Sequence, residues 1–383
     1  MSTRLGLTSF GGPIAHLGYF RAEYVERRHW LDEATYADLV ALWQFMPGPT
    51  SSQVGFSIGL LRAGVPGGVV AWLGFTLPSV IALVLFAFGL QAVNLEHAGW
   101  LHGLKLVAVA VVAQAVWGMA RTLAPDRPRA TIAILTALAV LWRQTALMQV
   151  GAIAIAAVVG WRLFPMGDSA GPDVLRIRIA RWLVVGAWVL FFGLLLGLPV
   201  ARQLVDWQPL ALFDSFYRTG ALVFGGGHVV LPLLRAEVVP PGWVDNDQFL
   251  AGYGAAQAVP GPLLTFAAYL GAVMQPAPNG WLGALIAVVA IFLPSFFLLV
   301  GVLPFWDMLR RRGSIQAMFR GVNAAVVGIL GAALYTPIWT SAVHRPADFA
   351  LALAAFGLLQ VWRLPPWLVV IFAAVGGQAL AMF

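Results

Sequence analysis

The chain has 383 residues, 60% of them hydrophobic and 10% charged, where an ordinary soluble domain carries about 25% charged residues, so a soluble fold is excluded. The formal net charge is +7, but the arginines that carry it are scattered through short loops rather than gathered on one face, which excludes nucleic acid as a partner. Cysteine is absent, and with it disulfides, thiolate metal sites and cysteine nucleophiles.

At the N-terminus no basic start, single apolar run and cleavage site follow in order, so no removable signal peptide is expected. Two clusters of glycine and proline then interrupt apolar sequence, SFGGP at 9–13 and PGPTSSQ at 47–53. Helices of the ~20 apolar residues needed to cross hydrocarbon are predicted near 65–92, 101–120 and 182–199, and again near 281–305 and 316–336. The apolar run from Ala130 to Phe164 is interrupted by WRQT at 142–145, and a similar run near the C-terminus by WRLPPW at 362–367. Each predicts two short helices forming a hairpin. The fold class expected is an all-α polytopic membrane protein with broken or re-entrant helices.

The second half repeats the first. ALVFGGGHVVLPLLRAEVV from Ala221 lies over LTSFGGPIAHLGYFRAEYV from Leu7, matching Phe10 to Phe224, Gly11 and Gly12 to Gly225 and Gly226, and Arg21 and Glu23 to Arg235 and Glu237. After a one-residue slip Trp30 matches Trp243, Gln44 matches Gln257, and Pro47, Gly48 and Pro49 match Pro260, Gly261 and Pro262. Further on, Leu77, Pro78 and Ser79 match Leu293, Pro294 and Ser295, and Gly103 matches Gly321. The organisation expected is a first repeat over 1–164, a linker over 165–208 with one extra transmembrane helix near 182–199, and a second repeat over 209–383.

Loop charges predict the orientation of the copies. In the first, the loop with Arg62 is basic, the loop from Asn94 to Gly99 is bare of arginine and lysine, and the next carries Arg121, Arg127 and Arg129. In the second, the loop from Pro276 to Asn279 is bare and the next carries Arg310, Arg311 and Arg312. By the preference of basic loops for the cytoplasm the copies are expected to be inverted, a known transporter architecture. The basic segment LRIRIARW from Leu175, followed by the single span near 182–199, supplies the odd crossing that inversion requires.

Helix breaks in hydrocarbon leave backbone polar groups that only protein or a water-filled cavity satisfies. In PGPTSSQ, Gly48 as N-cap and Pro49 as first helical residue would aim the amides of Thr50, Ser51 and Ser52 at an anion, with the helix dipole behind them. PGPLLTF in the second copy keeps Gly261 and one hydroxyl, Thr265. The half-sites are therefore unequal, the first copy's being the richer in hydroxyls. The rival reading makes the clusters packing kinks. Two clusters recurring in both copies favour the cavity, so Gly11, Gly12, Gly48, Gln53, Gly225, Gly226 and Gly261 join Thr50, Ser51, Ser52 and Thr265 as candidate substrate-binding residues.

Arg21 and Arg235 offer a planar fork to a tetrahedral oxyanion, or are loop arginines paired with a neighbouring glutamate. His16 and His228, which are not equivalent between copies, read either as proton carriers or anion donors or as packed, hydrogen-bonded histidines. Gln44 and Gln257 are uncharged donors beside the PGP breaks. Lys105, the chain's single lysine, sits near a helix end, from which it can snorkel to the headgroups.

Four segments, SFGGPIAH at 9–16, RAEYVERRHW at 21–30, FMPGPTSSQ at 45–53 and GFTLPS at 74–79, resemble the chromate ion transporter family, and the resemblance extends over both halves. It implies a multi-pass protein of the bacterial inner membrane, with two homologous halves, that exports chromate and confers resistance to it. Carried over, the family's motifs fall on Phe10, Gly11, Gly12, Pro13, His16, Arg21, Glu23, Trp30, Pro47, Gly48, Pro49 and Gln53. The second copy departs from them with Gly227 in place of Pro13 and Leu263 and Leu264 in place of Thr50 and Ser51.

The partners expected are chromate, with sulfate as an alternative tetrahedral dianion, the lipid bilayer, and a second copy of the chain in a homodimer. No metal or other cofactor is expected. No HExxH, GxSxG or P-loop motif occurs, so the chain is not expected to be an enzyme or to carry an ATPase. The enzymatic rival would use His16 or His228 as base and Ser51 as nucleophile, with no acid in evidence to orient the histidine.

Overall fold

The computed structural model describes residues 1–92, 99–143, 145–164, 179–224, 227–305 and 312–382. Gly225, Gly226, Arg310, Arg311 and the first residues of the LRIRIARW segment lie outside the described residues. Among the described residues the regular structure is entirely helical. The first copy runs α1 (Ser2–Thr8), α2 (Gly12–Phe20), a π-helical turn (Arg21–Arg27), α3 (Glu33–Phe45), α4 (Thr50–Ala92), α5 (Gly99–Leu123), α6 (Arg127–Trp142) and α7 (Ala146–Leu163). The linker helix is α8 (Arg181–Leu204), and the second copy runs α9 (Gln208–Leu222), α10 (Val230–Val238), α11 (Asn246–Ala256), α12 (Phe266–Val273), α13 (Gly280–Val302), α14 (Gly313–Ala333), α15 (Pro346–Gln360) and α16 (Pro366–Leu380).

FGG separates α1 from α2; PGP separates α3 from α4, and its mate separates α11 from a 3-10 turn that leads into α12. Helix α9 ends at Leu222, just before the second FGG, whose Gly225 and Gly226 lie outside the described residues. The interruptions at 142–145 and 362–367 divide the two predicted hairpins. The first PGP helix begins at Thr50, one residue later than expected. It is one arm of a hairpin, because Ala63 and Gly64 are non-helical and reverse the chain. The arms at 50–62 and 65–92 touch where a Cβ on Gly59 would lie 2.4 Å from the Gly67 carbonyl. The long apolar element is thus a short helix followed by a longer one at 65–92, the helix predicted there and long enough to span.

The copies are intertwined. Helix α5 of the first packs on α15 and α16 of the second, and its mate α14 packs on α6 and α7 of the first. Equivalent glycines make both contacts: a Cβ on Gly103 would lie 2.0 Å from the Ala373 carbonyl oxygen, and one on Gly321 would lie 2.0 Å from that of Ala156. Reciprocal use of equivalent surfaces is isologous packing, the geometry of a two-fold relation. The linker helix α8 stays at the periphery and turns Val185, Val189 and Leu196 outward, each more than half exposed, as a lipid-facing helix requires.

Two groups of charges tie elements together. Lys105 does not reach for headgroups alone: its ammonium lies 3.1 Å from the Asp247 carboxylate on α11. A larger cluster joins the linker to the second copy. Asp214, 1% exposed, receives Arg218 at 2.9 Å and Arg202 of α8 at 3.4 Å, and Arg218 also reaches Glu237 of α10 at 2.8 Å. Arg202 in addition lies over the Trp243 ring.

Candidate functional site

The four breaks meet crosswise at the centre. The Gly48 amide of the first PGP donates to the Val223 carbonyl beside the second copy's FGG, at 2.7 Å, and the Gly261 amide of the second PGP donates to the Ser9 carbonyl beside the first copy's FGG, at 2.9 Å. Gly48 and Gly261 hold φ of 122° and 105°, values that a side chain resists. Their missing side chains also admit a serine from the other copy: a Cβ would lie 2.5 Å from Ser295 Oγ at Gly48 and 2.1 Å from Ser79 Oγ at Gly261.

The two crossings are not chemically equal. At Gly261, Ser79 donates to the Pro260 carbonyl. At Gly48 the equivalent Pro47 carbonyl is taken instead by the Gln53 amide at 2.8 Å. The displaced Ser295 hydroxyl is therefore left without a partner, and Gln53 Oε1 and Ser52 Oγ are buried and unpartnered as well. Ser52 and Gln53 are 2% and 1% exposed, and burial of such groups without partners is costly.

The other two hydroxyls of the TSS run are engaged. Thr50 donates to the Trp43 carbonyl at 3.1 Å. Ser51 lies 3.3 Å from His16 Nδ1, and His16 Nε2 lies 3.1 Å from the Ser9 carbonyl. A carbonyl only accepts, so Nε2 carries the proton and Ser51 donates to Nδ1. The Ser9 carbonyl is also the acceptor for Gly261, so one chain of hydrogen bonds links the PGP helix of the first copy to the PGP break of the second. Although His16 and Ser51 meet, as the enzymatic rival requires, a backbone carbonyl stands where a nucleophilic pair needs an orienting acid.

A cavity of about 60 Å³ opens at the crossing of first-copy FGG with second-copy PGP, room for several waters. Gly11, Gly12, Gln114, His228, Gln257 and Gly261 line it, and its described lining contains no carboxylate. Nε2 of Gln257 has no partner. The Tyr253 hydroxyl lies 2.8 Å from His228 Nδ1. Thr265 is turned away, its hydroxyl donating to the Pro262 carbonyl at 2.7 Å. The polar wall thus comes from His228 and Gln257 of the second copy and Gln114 of the first, not from the first-copy hydroxyls that the sequence favoured. Gln114 was missed because it lies in an unbroken apolar helix, and only its position opposite the breaks marks it.

Three predicted residues stand elsewhere. Gln44 is exposed at the end of α3. Arg21 is exposed and bonded to Glu26 and Glu33, not to Glu23, which pairs with Arg27 and Arg28. The π-helical turn explains this choice: it stacks residues five apart, bringing Arg21 over Glu26 and Glu23 over Arg28. The hydrogen bond that Arg21 donates to Glu33 and the charges of Glu33 and Glu26 raise the Arg21 pKa above its usual value. An exposed pair of this kind contributes little, so Arg21→Ala is expected to keep flux within about twofold of wild type. A larger loss in initial-rate measurements at equal membrane content would return Arg21 to the site. Arg235 is the third, held at 3.0 Å by Asn246 and facing a separate cavity.

Comparison with known proteins decides the family. The chromate transporter family model matches residues 1–161 and 210–378. The chain belongs to the chromate transporter family. It is 30% identical to a chromate transport protein of Pseudomonas aeruginosa, over 97% of this chain and 89% of that one. It is also 29% identical to a probable chromate transport protein of Synechococcus elongatus, over 98% of this chain and 92% of that one. With a chromate transport protein of Cupriavidus metallidurans the identity is 26%, over 98% and 90%. No solved structure matches the chain. A transporter family is in keeping with the five helices among the described residues that are long and apolar enough to cross a membrane, and the protein is a multi-pass membrane protein.

Proposed function

We propose that the protein is a secondary transporter that exports chromate across the bacterial inner membrane, conferring resistance, by alternating access between two inverted copies. The observation that carries this reading is the cavity at the crossed helix breaks, walled by an unpartnered amide at Gln257 and by His228, with no carboxylate in its described lining. When the Tyr253 hydroxyl donates to His228 Nδ1, the imidazole keeps its proton on Nε2 and presents a donor to the cavity. Gln257 adds an amide donor, and Gln114, whose Nε2 donates one hydrogen to the Leu359 carbonyl at 3.2 Å, keeps a second. The unpartnered hydroxyls of Ser52 and Ser295 at the Gly48 crossing supply the opposite half-site, exposed in turn as the copies rock about the shared breaks. The linkage from Ser51 through His16 and Ser9 to Gly261 makes opening at one crossing felt at the other.

Direction follows from charge. Moving one charge through 100 mV is worth ~2.3 kcal/mol, so a dianion leaving an inside-negative cell gains about twice that, and export runs on the membrane potential alone. The decisive measurement is chromate flux in proteoliposomes with potential and pH gradient set independently. Flux should rise with a potential that drives anions from the cytoplasmic face to the opposite face and be indifferent to the pH gradient. Flux that follows the pH gradient alone would remove the potential-driven mechanism. Sulfate shares the tetrahedral dianionic shape that the donors recognise, and equal inhibition by sulfate would make this a general oxyanion carrier.

A further inference from the structure

The two equivalent arginines have opposite fates, and the difference points to a second site. Arg21 is neutralised at the surface by Glu26 and Glu33. Arg235 has no carboxylate partner among the described residues: Glu237, the nearest in sequence, is committed to Arg218. Instead Arg235 Nε donates to Asn246 Oδ1 at 3.0 Å, while Asn246 Nδ2 donates to Ser341 Oγ at 3.0 Å. This fixes one edge of the guanidinium and leaves its terminal nitrogens for a ligand.

What they face is a cavity between the copies. It is bordered by Arg235 on α10, Gln149 on α7, and Thr336 and Pro337 beyond the end of α14. Gln149 is 3% exposed and its Oε1 has no partner; a half-turn of the amide presents Nε2, a donor, at the same place. Thr336 is non-helical, with φ −122° and ψ 117°, inside the π turn Leu334–Trp339. It is therefore a third kind of helix break, tolerated in a membrane protein where it lines a cavity. The first copy has no counterpart, since α5 runs unbroken from Gly99 to Leu123.

We propose that Arg235, Gln149 and the break at Thr336 form a second oxyanion station, separate from the central cavity and visited by the same anion on its way through the protein. The proposal rests on the transport reading above. His228, at the start of the segment that becomes α10, lines the central cavity, and Arg235 lies seven residues on, roughly 10 Å along the helix. A single guanidinium and a neutral amide bind a dianion without fully neutralising it. That suits a station which must release what it binds, since conduction requires sites weak enough to leave. In this conformation the space is about 30 Å³, room for two waters, so occupancy includes an outward movement of the turn at Thr336.

The test is calorimetric titration of the purified full-length protein with chromate, in wild type, Arg235→Gln, Gln149→Leu and Gln257→Leu. Wild type should show two classes of site. Arg235→Gln and Gln149→Leu should each weaken the same class at least about tenfold, the loss of a hydrogen bond to a charged group, and leave the other unchanged. Gln149→Leu replaces an unpartnered buried amide with an apolar group, so it keeps the fold even if Arg235→Gln does not. Two classes that survive both variants, or a single class lost only in Gln257→Leu, would overturn the station. A class lost in Arg235→Gln with binding unmoved by Gln257→Leu would instead remove the central cavity and keep the station.

Discussion

Gln257→Leu is expected to abolish most chromate transport while leaving the protein as stable as wild type or slightly more so. The two effects have one cause. Nε2 of Gln257 is buried at the cavity wall without a partner, and replacing an unmet polar group with an apolar one of similar shape is neutral or stabilising. The same nitrogen is free for the anion, and a hydrogen bond to a charged group contributes about 1.5–3 kcal/mol. The expected loss in transport efficiency is therefore about 10- to 150-fold. Ser52→Ala should behave alike, because Ser52 Oγ is equally buried and unpartnered. Initial rates in proteoliposomes, set beside thermal unfolding in detergent, separate the two effects. If both variants transport normally, the crossed breaks hold the fold together and the anion passes elsewhere.

Asp214→Ala is expected to produce the opposite pattern, a protein that fails to fold rather than one that fails to bind. The carboxylate is 1% exposed and accepts from Arg218 on its own helix and from Arg202 on the linker. Removing one partner from a buried ion-pair cluster leaves uncompensated charge and costs about 3–5 kcal/mol. Here it would leave Arg218 with Glu237 alone and Arg202 with no carboxylate among the described residues, removing one of the ties between α8 and α9. Monodisperse protein recovered after solubilisation should fall sharply for Asp214→Ala. Asp214→Leu combined with Arg218→Met and Glu237→Gln, which removes charge of both signs and fills the space, should recover part of it. Equal recovery of Asp214→Ala and wild type would show that the cluster contributes no net stability.

Much of the architecture is legible in the residues taken in order. Apolar runs mark the spans, and Gly48 with Pro49 or WRLPPW mark the breaks, because helix formation and its interruption depend on residues within a turn or two. Duplication is legible too, since matched glycines such as Gly103 and Gly321 survive where backbones must touch. The reversal at Ala63 and Gly64 falls at the basic loop expected around Arg62, where Gly64, Pro66, Gly67 and Gly68 also stand; what the residues in order do not show is that the two arms fold against each other.

What the sequence by itself determined is therefore a membrane protein of two helical copies, each broken twice at places built for a cavity. Only the tertiary structure decided that the breaks pair across copies, Gly48 with Val223 and Gly261 with Ser9, because a carbonyl freed by one break carries no mark of which distant amide will satisfy it. The same holds for the charges. Arg21 and Arg235 occupy matching positions, yet a π turn places one over Glu26 and a non-helical residue at Thr336 opens a cavity before the other. Side-chain partners in three dimensions, not residue type, settle which arginine is left free for an anion.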